Sequence, residues 1–177
     1  MIKLFVRLLV VFSVISVSAA CSHKYKVDAI ETPGTLIPAN SHFYIMLPKD
    51  GVYGATEYVG SSNMVVSAVA SALLANSAEV TKATRVETMD QAYESAISAS
   101  SDYIFQPVIV HWEDRATEWS GRPDRITMRY TIYDVEARKN VASTLARASS
   151  KWGTFGGDHP QDLVPGTVNT FLRAVIE

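Results

Sequence analysis

Ile126-Thr127-Met128-Arg129-Tyr130-Thr131-Ile132-Tyr133 decides how this chain reads. Large apolar residues alternate strictly with polar ones, and both sets are β-branched, aromatic or long. That is the period of a strand with one face on a core and one on solvent. The flanking segments repeat the habit. Upstream, Tyr103, Phe105, Val108, Val110 and Trp112 lie in one long strand, with Pro107 marking an edge or a bulge. Between them, 113–124 is charged and carries Gly121 and Pro123, so it reads as a hairpin loop. Downstream, 134–140 is a polar turn and Val141 to Trp152 a further strand, with Ala142, Thr144, Ala146 and Ala148 on one face. The three strands form a meander.

Nearer the amino terminus the period changes to that of helices. His42 to Leu47 reads as a strand ended by Pro48-Lys49-Asp50-Gly51, and 52–60 as a glycine- and tyrosine-containing loop. Ser61, Ser62 and Asn63 offer oxygens to cap a helix. That helix carries Met64, Val65, Ala68, Val69, Ala72, Leu73 and Ala75 at spacings of three and four and ends near Asn76. Glu79 to Arg85 is a short strand. Thr88 and Gln91 have capping-box spacing and open a second helix that stops near Ser100. A last helix starts near Pro165 and bears Val168, Phe171, Leu172, Val175 and Ile176. The expectation is an α+β domain over 41–177 in the order β-α-β-α-β-β-β-α, a mixed sheet with the helices packed on one face.

Residues 1–20 obey other rules. Lys3 and Arg7 are the only charges, Leu8 to Val17 is apolar apart from Ser13 and Ser16, and Ser18-Ala19-Ala20 is small. A basic head, a short apolar run and a small-residue cleavage site make a secretory signal. Cys21 follows and is the only cysteine, so it has no intramolecular disulfide partner. The stretch Val17-Ser18-Ala19-Ala20-Cys21 resembles a lipobox, although Ser18 stands where an apolar residue is usual. The resemblance implies cleavage before Cys21 and a diacylglycerol thioether on it. Ordinary cleavage leaving a free thiol, and an uncleaved anchor, are the alternatives. Two or three acyl chains hold a protein firmly to a bilayer. Ser22 rather than Asp follows, which by resemblance to Gram-negative lipoprotein sorting implies the outer membrane, facing the periplasm. Residues 21–40, with Pro33, Gly34 and Pro38, read as an extended tether.

Two wider resemblances attach to particular residues. Ser101-Asp102-Tyr103-Ile104 entering a strand, and Tyr133-Asp134-Val135 closing one, are similar to the meander of small envelope domains: the amino-terminal domain of TolB, the curli-secretion lipoprotein CsgG, and lipoprotein activators of penicillin-binding proteins. Such domains bind proteins and catalyse nothing. Gly156-Gly157-Asp158-His159-Pro160-Gln161-Asp162-Leu163 resembles a signature of an uncharacterised proteobacterial lipoprotein family, and the Asp50-Gly51 to Gly60 loop fits it. That family supplies no mechanism.

The charge balance narrows the choices. From Cys21 on there are 14 basic and 18 acidic residues, and no basic run long enough to follow a phosphate backbone, so nucleic acid is disfavoured. Neither a Gly-x-Ser-x-Gly elbow nor a Gly-x-x-x-x-Gly-Lys loop occurs. His23, His42 and His111 have no partner by spacing. Asp158, His159 and Asp162 form the most site-like corner. They are read first as a structural corner, with Asp158 capping a turn, Pro160 in its first helical position and Asp162 facing the positive end of that turn, and alternatively as a small-ligand or metal site. Trp119 in the charged hairpin and Tyr53 and Tyr58 in the glycine loop are the candidate contact residues, because aromatics beside arginines are what protein-contact hot spots contain. The sequence therefore points to a lipid-anchored, non-enzymatic envelope lipoprotein that needs no cofactor and docks on another envelope protein.

Overall fold

Among the described residues six strands make the main sheet, in the order Lys24–Val27, Lys139–Ser149, Arg125–Asp134, Tyr103–Glu113, His42–Ile45 and Glu79–Lys82. The computed structural model describes residues 23–28, 31, 36–114, 123–150 and 159–177. Its elements are β1 (Lys24–Val27), β2 (His42–Ile45), β3 (Gly51–Tyr53), β4 (Thr56–Tyr58), α1 (Ser61–Ala75), β5 (Glu79–Lys82), α2 (Met89–Ser98), β6 (Tyr103–Glu113), β7 (Arg125–Asp134), β8 (Lys139–Ser149) and α3 (Pro160–Val175). The α+β class and the mixed sheet are as the sequence reads. β6, β7 and β8 form the antiparallel meander, and β2 pairs in parallel with both β5 and β6.

The helices do not share one face, as the sequence reading expected. The chain leaves β2 over α1 to reach β5 on one side. It then returns over α2 to β6 on the other side of β2. Two crossovers of the same hand in opposite directions put their helices on opposite faces. The residues of β2 divide accordingly. Phe43 and Ile45 join the core under α1 and α3, whereas Tyr44 and Met46 pack with Ala92, Tyr93 and Ala96 of α2. The larger core centres on three rings, with centroids 5.7 Å apart for Phe105 and Tyr130, 6.1 Å for Phe105 and Phe171, and 5.9 Å for Tyr130 and Phe171. Such pairs add about 1 kcal/mol beyond their burial and tie the meander to α3.

Four further boundaries differ from expectation. Lys24–Val27, placed in the tether, pairs antiparallel with β8, and Ile37 is buried with its N–H donating to the Val175 carbonyl at 2.8 Å. The tether reading of 21–40 therefore fails for these residues, because backbone pairing to an open sheet edge needs no apolar period. The 52–60 loop is the hairpin β3–β4. α3 begins at Pro160, which occupies the first turn, and carries Pro165 within it. The expected strand from Val141 runs Lys139–Ser149, and Trp152 lies outside the described residues. Pro107 stands beyond the end of the β2 pairing at Phe105, where β6 has lost that neighbour, and the bulge falls at Ile109/His111.

Candidate functional site: the β3–β4 hairpin surface

The segment between β2 and α1 is built around two short residues. Gly51 lies against β6 so closely that a Cβ there would come within 2.6 Å of Trp112 Cβ. Its N–H donates to Ser61 Oγ at 2.8 Å. Asp50 then does what Ser61, Ser62 and Asn63 were expected to do. Its Oδ1 accepts the Ser62 N–H at 2.8 Å, its Oδ2 the Gly60 N–H at 3.1 Å, and Ser61 Oγ donates to Oδ1 at 3.3 Å. The residue at the helix cap is Gly60, at φ 91°, which has no side chain to offer. A carboxylate at a helix N-terminus also meets the positive end of its dipole. Desolvation raises the Asp50 pKa, but the hydrogen bonds from Ser62, Gly60 and Ser61 outweigh it and hold the carboxyl below its ordinary value.

A hairpin so fixed presents apolar side chains outward. Val59 is 83% exposed, Val52 55%, Met64 45% and Tyr53 44%. Tyr53 meets His111 edge-on, centroids 5.2 Å apart. Tyr58 behaves differently. It packs against the larger core, and its hydroxyl donates to the Asp114 carbonyl at 3.4 Å. Of the three expected contact residues, Tyr53 thus stands on the surface, Tyr58 is half-buried beneath it, and Trp119 lies outside the described residues. Val52 and Val59 were not singled out from the sequence, because an exposed aliphatic residue leaves no local pattern, and Met64, read there as part of the apolar stripe of α1, is exposed instead.

The other corner reads as a helix start. Asp158 lies outside the described residues. His159 is the residue before the first turn, and its N–H donates to Asp162 Oδ2 at 3.0 Å. Among the described residues no group of three His, Cys, Asp or Glu side chains is placed to hold a metal ion. The histidines find partners across the fold: His42 Nε2 lies 2.9 Å from Thr81 Oγ1, His111 Nε2 3.4 Å from Glu113 Oε2, and His23 Nδ1 3.1 Å from Tyr25 Oη. Cys21 lies outside the described residues. Among those described, no helix is long and apolar enough to cross a membrane.

A mixed sheet with helices on both faces and an apolar hairpin fixed against it defines a small α+β domain. The sequence matches a family model over residues 35–175, and the chain belongs to that family, described as a domain of unknown function (DUF4823). No functionally curated protein matches it. Among solved structures it is similar to the PelC dodecamer from Paraburkholderia phytofirmans, with TM-score 0.67 and 14% identity over 87% of this chain and 99% of that one. It is also similar to lipoprotein GNA1162 from Neisseria meningitidis, with TM-score 0.50 and 10% identity over 75% of this chain and 99% of that one. At these identities the likeness is one of fold.

Proposed function

We propose that the chain is a lipid-anchored lipoprotein of the outer membrane, held through Cys21 and facing the periplasm, whose domain works by protein contact. The observation that carries the contact is the hairpin: Gly51 and Asp50 lock it to β6 and α1, yet it turns Val52, Tyr53 and Val59 to solvent. Rigid, exposed apolar residues contribute to association without the entropy of ordering a loop. The anchor is supported by the lone cysteine after a secretory signal and by a fold shared with a solved lipoprotein.

The test has two parts. The intact mass of protein extracted from membranes should equal residues 21–177 plus acyl groups, and Cys21→Ser should lose them. Cross-linking in intact envelopes should capture a protein partner that Tyr53→Ala with Val59→Asp does not retain. A second reading, favoured by the dodecameric state of the PelC structure, makes the partner further copies of this chain. Light scattering of the purified domain distinguishes the two, since only self-association gives a multiple of the monomer mass.

A further inference from the structure

Among the described residues, the face of the sheet opposite α1 and α3 is covered at one end by α2 and uncovered at the other, where Val110 is 49% exposed. The open end collects positive charge. Lys24 and Lys26 of β1, Arg147 of β8 and Arg125 of β7 line a shallow cleft of about 560 Å³ with Val110, His111 and other residues. Register puts the four cations on one face: Lys26 opposes Arg147, and Ser149 is flanked by Lys24 and Arg125. The alternate residues Ala148 and Ile126 turn to the core. Arg129 follows Arg125 and Thr127 along the same face of β7, as the buried Ile126, Met128 and Tyr130 between them require.

Two features separate this from an ordinary solvated sheet. Lys26 and Arg147 are like charges directly opposite on neighbouring strands, an arrangement that destabilises a sheet. Asp28 offsets part of it, its Oδ2 lying 2.6 Å from Arg147 Nη1. Glu113 also stands opposite Arg125 on this face, beside His111; the four cations still outnumber Asp28 and Glu113 here, although the chain from Cys21 on is acidic overall.

The position of β1 says what anion they meet. Lys24 is three residues after Cys21, so their Cα atoms are at most about 11 Å apart. That is close to the Debye length of about 8 Å at physiological salt. A lipidated Cys21 would therefore hold β1, and the sheet face it edges, against the bilayer headgroups. We infer that this basic sheet face is a membrane-docking surface for the phosphates of anionic phospholipids, orienting the domain on the bilayer that holds its anchor. The inference rests on the lipid anchor proposed for Cys21.

The test removes the anchor and keeps the face. The mature chain, residues 21–177 with Cys21→Ser, is sedimented with vesicles of phosphatidylethanolamine and phosphatidylglycerol, or of phosphatidylcholine alone. It should bind the first and not the second, and lose binding at 0.5 M salt. Each cation near an anionic surface is worth about a fivefold change in affinity. Lys26→Gln with Arg125→Gln should thus weaken binding about 25-fold with the melting temperature unchanged, while Lys82→Gln with Arg173→Gln should leave it as it was. Equal binding to both vesicles, no binding to either, or binding to a soluble polyanion such as alginate but not to vesicles, overturns the inference. The intact-mass measurement reports on the anchor by itself, so loss of one claim is told apart from loss of the other.

Discussion

Asp50 caps α1 from a distance of twelve residues, its carboxylate accepting the Ser62 N–H at 2.8 Å, and this one side chain joins the hairpin to the helix. Asp50→Ala should cost about 0.5–2 kcal/mol, the usual range for a lost helix cap, measured by urea denaturation. The pH dependence has a definite sign. A carboxyl whose folded pKa lies below its unfolded value binds fewer protons when folded. Its contribution is fully present above the ordinary value of 3.8 and disappears as pH falls through the lower folded value. Melting temperatures of wild type and Asp50→Asn should therefore differ at pH 6 and converge as pH is taken below about 4. A constant difference down to pH 2 would show that the charge is not what caps the helix.

Gly51→Ala tests how tightly the hairpin is seated. The new methyl would fall 2.6 Å from Trp112 Cβ and 3.1 Å from Ile109 Cγ2, on side chains fixed in the sheet. Overpacking of this kind costs about 1–3 kcal/mol. Gly54→Ala on the same hairpin meets nothing within 4 Å, but its φ of +61° carries a smaller strain. Urea denaturation of the two variants should rank Gly51→Ala as the more damaging.

How much of this could be read in advance depends on what each segment buries. β7 was legible because alternate residues fall on opposite sides of one boundary, Met128 and Tyr130 fully buried and Arg129 exposed. The capping box at α2 was legible because both halves are local: Thr88 N–H donates to Gln91 Oε1 at 3.0 Å, and Gln91 N–H to Thr88 Oγ1 at 3.3 Å. β3 and β4 were missed because Val52, Tyr53, Thr56 and Glu57 are all exposed, so no alternation of burial exists to show in the residue types. β1 was missed for the reason that makes it a safe edge: Lys24 and Lys26 discourage further pairing, and charged residues read as linker. The Asp50 cap and the basic face are juxtapositions of distant residues, which no window along the chain contains.

The buried pair Tyr130 and Thr167 gives a prediction for the core. The two hydroxyls are 2.7 Å apart and Thr167 Oγ1 also donates to the Val164 carbonyl at 2.8 Å. Burial holds the Tyr130 phenol neutral far above its ordinary range, with Thr167 lowering the effect only in part. Tyr130→Phe leaves Thr167 its carbonyl partner and should cost about 1 kcal/mol. Phe171→Ala, which opens a cavity against the same ring, should cost about 3–5 kcal/mol. Both are measured by thermal or urea unfolding.

Tyr53 and Tyr58 separate contact from packing. Tyr53 is 44% exposed and its ring meets His111, whereas Tyr58 is packed on the core. Tyr53→Ala combined with Val59→Asp removes surface side chains and should shift stability by no more than about 0.5 kcal/mol for each. If the hairpin is the docking surface, the same pair should abolish cross-linking to the partner in intact envelopes. Tyr58→Ala should lower stability by about 2 kcal/mol or more as a large-to-small change against the core, and weaken the partner contact only as far as the hairpin loosens. A Tyr53/Val59 variant that is fully stable and keeps every cross-link would move the contact away from this hairpin. Trp119, the remaining residue that the sequence marks as a candidate contact, would then be substituted next, with Trp119→Ala and the same cross-linking readout.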